Sequence, residues 1–475
     1  VVKQLDASGW QATMENNILG QETIRQLSGG ISRQQDYDRS GRLQQQRITG
    51  TNNRNLHHRN YTWDADRLTG IKDTVTGEKF FRHDVHGNLA EMIYGDGTVE
   101  YRLPDAVGNL FETKEQKDRK YGKGGQLQES KHAKYKYDKL GNLIEKQEKK
   151  NFGKWLYEWN QAGMLAKVTR PDRTEVTFAY DALGRRLWKK YRKTTTYFVW
   201  DGNKPLHEWK EFDAKESTAD DIITWVFEEG NFAPAAKIKG TKKYSILADY
   251  LGTPIQGYAD DGSLIWQREI DSFGKAKMQI GEEGFCNYLY QGQVVDNETG
   301  GLAYNRFRYY SPEEGNYISQ DPIGLNGGMA VYGYVKNTNR LIDPFGLATS
   351  NGSTAEGFEY FSGTNKPLTR GATPNSVYTH IDPNTDKAVQ NAIYDGNGDV
   401  IGHVDFETHG TKIQEPSGHW HEFPTPGDPS TGHGKGKPHH SPDTVPEGWD
   451  VLPDGIEPTE PIGTTKPKAG CDGNI

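Results

Sequence analysis

Tyr137-Asp138-Lys139-Leu140-Gly141-Asn142-Leu143 is the stretch that decides the fold of this chain. It recurs as Tyr37-Asp38-Arg39-Ser40-Gly41-Arg42-Leu43 and, with one residue more, as Tyr180-Asp181-Ala182-Leu183-Gly184-Arg185-Arg186-Leu187. Looser copies run from Trp63-Asp64 to Leu68, His83-Asp84 to Leu89, Pro104-Asp105 to Leu110 and Trp159-Asn160 to Leu165, and start again at Trp200-Asp201-Gly202. The Asp (once Asn) positions 38, 64, 84, 105, 138, 160, 181 and 201 are mostly 20 to 26 residues apart. Local physics makes each unit a hairpin. The aromatic ends one strand, and Asp bonds nearby backbone to open a turn. Gly then takes a positive φ, and Leu starts the next strand. Alternation is visible between turns: Val176, Phe178 and Tyr180 share one face by period two. Near-constant spacing favours a repeat architecture over an ordinary β-sandwich.

Composition agrees. Only 33% of the 475 residues are hydrophobic, yet 11% are aromatic, with Tyr 25, Trp 11 and Gly 55. Disordered chains are poor in aromatics, so a β-rich structure that buries aromatic stripes is expected. No run of about 18 apolar residues exists to span a membrane as a helix, and no signal segment follows Val1. The pattern is already under way near the start, so the chain reads as a fragment of something longer. Cys286 and Cys471 are too few and too far apart for a zinc ribbon or a disulfide framework.

The repeat stops at a boundary marked by two pentapeptides, Asp321-Pro322-Ile323-Gly324-Leu325 and Asp343-Pro344-Phe345-Gly346-Leu347. Asp-Pro with Gly three residues on is a turn signature. Two aspartates at a composition break are also candidates for an acid and a base. Nearby carboxylates do not both ionise easily, so one keeps a proton. The ionised one takes a proton from water and the protonated one polarises a carbonyl. The two readings are compatible, because a turn can present a catalytic carboxylate.

The repeat units resemble the YD repeats of the Rhs and teneurin-like proteins, whose repeats wind a long sheet into a hollow shell. Residues 244–347 resemble the RHS-associated core that plugs that shell. Asp249-Tyr250-Leu251-Gly252-Thr253-Pro254 is similar to the family's His-Leu-Gly-Thr-Pro segment, with Tyr for His, and Arg308-Tyr309-Tyr310-Ser311-Pro312 to its Arg-Tyr-Tyr-x-Pro segment. Ala330 and Thr338 depart from the Asn and Pro usual there. The resemblance implies self-cleavage just after the second pentapeptide. The scissile bond is then Leu347–Ala348, the aspartyl pair is Asp321 and Asp343, and Arg308 or Arg306 steadies a carboxylate or the oxyanion. It also implies that residues 348–475 are a toxic payload.

The tail differs from the rest in charge and composition. It carries 8 basic and 18 acidic residues and 8 of the 14 histidines, while the first 347 residues carry 49 basic and 47 acidic. An acidic balance is not the footprint of a protein that grips nucleic acid. A strand over 387–394, a turn at Asp395-Gly396-Asn397-Gly398 and a strand from Val400 to His409 are predicted. His403, Asp405, Glu407 and His409 then share a face, and His419-Trp420-His421 puts two more histidines on one face. One reading is a metal-independent RNase using His409 with His419 or His421 as base and acid. A second is a metal nuclease with His403 and Asp405 among the ligands, although no His-Glu-x-x-His is present. A third is another toxic enzyme, such as an ADP-ribosyltransferase. The last is exposed histidines without chemistry. A zinc deaminase is disfavoured, because Cys-x-x-Cys is missing from the tail.

The expectation is therefore a mainly β chain. YD repeats over 1–243 form part of a β-shell, 244–347 is a self-cleaving core plug, and 348–475 is a small β-rich or α+β toxin domain. The favoured activity is that of an RNase, with RNA as substrate and no cofactor. The family implies a secretion apparatus, such as a type VI system, and a neutralising immunity protein. It also implies synthesis in the cytoplasm and delivery into target cells in competition between bacteria. The alternative is a teneurin-like adhesion or cell-wall scaffold whose tail binds a partner.

Overall fold

The computed structural model describes residues 2–213, 217–347, 350–351, 359–363, 376–381, 388–394, 400–405 and 420–422. The chain divides into two compact units, Val1–Ala355 and Glu356–Ile475. Almost all regular structure is β, and among the described residues no helix is long and apolar enough to cross a membrane.

The first unit is built from hairpins added one after another. Ten strands, from Val2–Ala7 to Val99–Tyr101, form one sheet in chain order, and sixteen, from Lys120–Tyr121 to Ala276–Gly281, form another. The second sheet runs through residue 244 without interruption. Chain order follows from the turns. In the unit quoted first, Leu140 N and Asn142 N both donate to Asp138 Oδ1 at 2.9 Å, and Asp138 N donates to Asn142 O at 2.9 Å. Gly141 has φ +82°. The strand register slips between Lys136 and Tyr137 as the turn begins. This is a type I turn closed by a glycine bulge, which returns the chain beside the strand it left. Asn160 does the same work with its amide oxygen.

Two units behave differently. Trp63-Asp64 and Trp200-Asp201 close on two-residue loops, with Asp64 opposite Arg67 and Asp201 opposite Lys204. Ala65 and Gly202 take the positive φ there. The glycine-bulge turn also appears at Asn17, Asp249 and Asp271, where no Tyr-Asp pair announces it.

The two long sheets meet face to face. Trp10, Ala12, Leu27, Ile31 and Ile48 of the first pack with Ala236, Leu247 and Tyr258 of the second. Trp10 Nε1 donates to Ser245 Oγ at 2.9 Å across that contact. Alternation along Glu175–Tyr180 is realised, with Val176 and Phe178 buried.

A four-stranded antiparallel sheet, Val294–Asp296, Leu302–Asn305, Arg308–Ser311 and Asn316–Tyr317, forms the heart of the boundary module. Leu302, Tyr304, Tyr309 and Ile318 share a core with Val168, Val176 and Phe178 of the sixteen-stranded sheet. The repeat turns are docking points for the module. Tyr332 OH donates to Gly141 O at 2.7 Å, Tyr304 OH to Gly184 O at 3.2 Å and Asn337 Nδ2 to Gly87 O at 3.3 Å. Arg186 adds a buried ion pair to Asp296 and lies over the rings of Tyr304 at 4.5 Å and Phe198 at 4.7 Å.

The second unit holds a five-stranded sheet in chain order: Glu359–Gly363, Ser376–Ile381, Ala388–Tyr394, Val400–Asp405 and Trp420–Glu422. The first pair is parallel and the rest antiparallel. Ala388–Tyr394 and Val400–Asp405 form the hairpin that the Asp-Gly-Asn-Gly turn predicts.

Candidate active site: two aspartates on one guanidinium

Asn305 and Arg308 face each other across a tight hairpin whose Arg306 has φ +52°. The strand that leaves this hairpin sends Arg308 into the module, where it is 1% exposed. Its guanidinium lies 3.7 Å from the centre of the Tyr317 ring. Nη2 is 3.0 Å from Asp321 Oδ2 and 3.5 Å from Asp343 Oδ2. Nη1 donates to Val331 O at 3.1 Å, and Nε donates to Gly346 O.

The two pentapeptides use their aspartates in parallel ways. In the first, Ile323 N donates to Asp321 Oδ1 at 3.0 Å and Gly324 N to Asp321 O at 2.9 Å. In the second, Leu347 N donates to Asp343 Oδ1 at 2.9 Å. Each Oδ1 thus shapes its own turn, and each Oδ2 is left for Arg308. Tyr317 OH donates to Asp343 Oδ2 at 2.8 Å, and Asn305 Nδ2 donates to Tyr317 OH at 2.7 Å and to Asp343 O at 2.8 Å.

One buried cation serving two buried carboxylates leaves an excess negative charge unless one carboxylate keeps its proton. Burial is the main reason that the Asp321 carboxyl is pushed up to about 6; Arg308 opposes this and Asp343 adds to it. Burial also raises Asp343, against the pull of Arg308, the Leu347 N–H and the Tyr317 hydroxyl. The cluster is therefore fitted to keep one proton between its two carboxylates up to about pH 6, well above the range of free aspartates.

A peptide carbonyl lies within the cluster. A Cβ placed on Gly327 would sit 2.2 Å from Asp321 Oδ2 and 2.5 Å from Leu347 O. Those two oxygens flank the same small volume, which only glycine leaves open. The carbonyl that precedes Ala348 is thus beside the Asp321 carboxyl.

The sequence-predicted residues fall into four groups. Asp321, Asp343, Arg308 and Leu347 come together. Arg306 does not join them: it lies over the rings of Phe307 at 5.1 Å and Trp200 at 5.7 Å. Ala348, Glu407, His409 and His419 lie outside the described residues. In the tail sheet, His403 and Asp405 stand on Val400–Asp405 and His421 on Trp420–Glu422, with His403 and His421 as directly opposed partners. Tyr317, Asn305 and Gly327 were not singled out by sequence. Gly327 lies in a Gly-Gly pair, but nothing in the spacing ties it to Leu347.

The family model described as Teneurin YD-shell matches residues 11–330. The chain is 29% identical over 364 residues to the probable deoxyribonuclease RhsB of Dickeya dadantii (strain 3937), covering 72% of this chain and 24% of that protein. It is 30% identical over 404 residues to the double-stranded DNA deaminase toxin A of Burkholderia cenocepacia (strain H111), covering 77% of this chain and 28% of that protein. It spans about a quarter of the length of these curated relatives. A solved complex titled TcdB2-TccC3-Cdc42 aligns over 72% of this chain and 22% of that one, with a TM-score of 0.40 and 17% identity.

Proposed function

This chain belongs to the teneurin YD-shell family, and from that premise we propose that it is part of an Rhs-type toxin whose core cuts the chain at Leu347–Ala348 and frees a toxic tail. The observation that carries the reading is the Leu347 carbonyl beside a buried aspartyl pair held on one guanidinium.

The reaction is a hydrolysis. Asp343 enters ionised, its Oδ2 held by Arg308 and Tyr317. It takes a proton from water as the water oxygen adds to the Leu347 carbonyl carbon. Protonated Asp321 gives its proton to Leu347 O. The tetrahedral intermediate then collapses: Asp343 gives the proton it gained to the Ala348 nitrogen, the carbon–nitrogen bond breaks, and one hydroxyl of the former carbonyl carbon returns its proton to Asp321. A Leu347 carboxyl and an Ala348 amine result, and the pair again holds one proton. Asp321 is assigned as the acid because its Oδ2 and Leu347 O flank the same small volume and burial pushes its carboxyl up to about 6, while the Tyr317 hydroxyl and the Leu347 N–H help to hold Asp343 ionised.

For the tail the reading is a nuclease, with RNA as the preferred substrate. Relatives named as a deoxyribonuclease and as a tRNA3(Ser)-specific nuclease support that class. His409 with His419 or His421 would move the protons of RNA cleavage without metal, because RNA supplies its own nucleophile. The pairing of His403 opposite His421 favours a second reading, in which these histidines and Asp405 hold a divalent ion. The shell retains the cut payload until delivery. The partners are a secretion apparatus and an immunity protein, and the destination is the target cell.

Synthesis of the full chain followed by denaturing electrophoresis tests the core. Two fragments should form, and Asp343→Asn or Asp321→Asn should leave one. Processing of both variants at the parental rate would remove the aspartyl mechanism. Co-elution of the fragments under native conditions tests retention.

A further inference from the structure

The chain on the far side of the proposed cut is not free. Leu341–Ile342 pairs antiparallel with Ser350–Asn351, Leu341 opposite Asn351 and Ile342 opposite Ser350. The scissile bond and Asp343 both lie in the segment that these two short strands enclose. The upstream strand is anchored in the core. Ile342 is buried, and Leu341 packs against the cluster of Tyr290, Tyr310, Tyr317 and Tyr334. Leu341 N donates to Asn337 O at 2.8 Å, and Asn339 O receives the Tyr250 hydroxyl at 2.8 Å.

We infer that Ser350–Asn351 is a positioning element of the self-cleavage site, a two-residue main-chain staple that carries the downstream chain back along the core and fixes the Leu347–Ala348 bond over the aspartyl pair. This rests on the self-cleavage reading above. The physical need is clear. Upstream, Leu347 is anchored through its N–H to Asp343, but an anchor on one side leaves the peptide plane free to rotate. A second anchor beyond the bond removes that freedom, and a misplacement of about 1 Å in a reacting group can cost about a hundredfold in rate. The contact is a ladder of backbone N–H and C=O groups, so it does not read the side chains that pass through it. The core therefore needs only the first few residues beyond the bond and accepts any payload after them.

The test uses the full chain made in a cell-free system, with Asp343→Asn as the uncut reference. In an antiparallel pair only one of two adjacent residues turns its N–H to the partner strand, and the double variant Ser350→Pro/Asn351→Pro removes that N–H whichever residue carries it. It should be cut at least about tenfold more slowly than the parent, given the sensitivity to placement. A second pair of chains avoids proline and relies on the compactness of Val1–Ala355. A chain ending at Gly352 should lose the mass of residues 348–352, and one ending at Thr349 should keep its last two residues. Cutting of the proline variant at the parental rate, or trimming of both short chains alike, overturns the staple. A parent as uncut as Asp343→Asn overturns the self-cleavage reading instead.

Discussion

Gly327→Ala is the most exacting perturbation of the proposed site, because it adds one methyl group and changes no charge. Gly327 does not occupy the left-handed region, so alanine meets no backbone penalty there. The new Cβ would stand 2.2 Å from Asp321 Oδ2 and 2.5 Å from Leu347 O. Non-bonded heavy atoms settle at about 3.5 Å, so the two oxygens must retreat by roughly 1 Å. Neither does so freely. Asp321 is tied to Arg308 and to Ile323 N, and Leu347 to Asp343. A displacement of that size between reacting groups costs about a hundredfold in rate, or about 2.7 kcal/mol of barrier. The assay is a time course of the full chain from cell-free synthesis, read by denaturing electrophoresis and intact mass. The parent should appear as two fragments and Gly327→Ala as a long-lived single chain that still unfolds cooperatively, with a modest loss of stability from the added methyl. Parental processing of the variant would show that the Leu347 carbonyl does not react beside Asp321.

Tyr317→Phe removes the hydroxyl donated to Asp343 Oδ2; cleavage should slow by about tenfold, and the limb that needs ionised Asp343 should move to higher pH, since a lost donor destabilises the carboxylate. Asp321 must be protonated to act as the acid and its carboxyl is pushed up to about 6; cleavage should therefore weaken as pH rises through that value, by about tenfold per unit beyond it, and pulse synthesis across a pH series would reveal a flat profile if another group is the acid. Arg186→Met leaves buried Asp296 with Lys189 alone; chemical denaturation should register a loss of about 3 kcal/mol, and a loss below about 1 kcal/mol, the range of an exposed pair, would show that Arg186 does not fasten the module to the sheet. Cells making residues 348–475 alone, without the shell that retains them, should stop growing and their RNA should be degraded in extracts containing EDTA, with His409→Ala and His421→Ala each removing most of the activity; inhibition by EDTA would transfer the assignment to the metal reading, and intact RNA and DNA in arrested cells would exclude both.

The repeat was legible because its cause is local. Asp138, Gly141 and the aromatic before them set a turn from a few adjacent residues, so the same letters give the same hairpin wherever they recur. Where letters and turn diverge, local chemistry has substitutes: Asn17 and Asp271 build the turn without a tyrosine before them, and Trp63-Asp64 closes a shorter loop. Asp321, Asp343 and Arg308 were also legible, through the pentapeptides and the arginine segment that the family resemblance picked out.

Only tertiary structure decided how these residues are arranged. Arg308 rather than Arg306 meets the carboxylates because Arg306 stands in the turn at φ +52° while Arg308 begins the returning strand, and spacing does not say which of the two faces inward. Tyr317 and Gly327 belong to the site because separate loops converge there. Sequence alone therefore determined the repeat, its β class and the candidate carboxylates, since backbone turn chemistry is encoded within a few residues. The shared guanidinium, the raised pKa of Asp321 and the carbonyl beside it arise from burial and long-range contact, and those exist only once the chain has closed on itself.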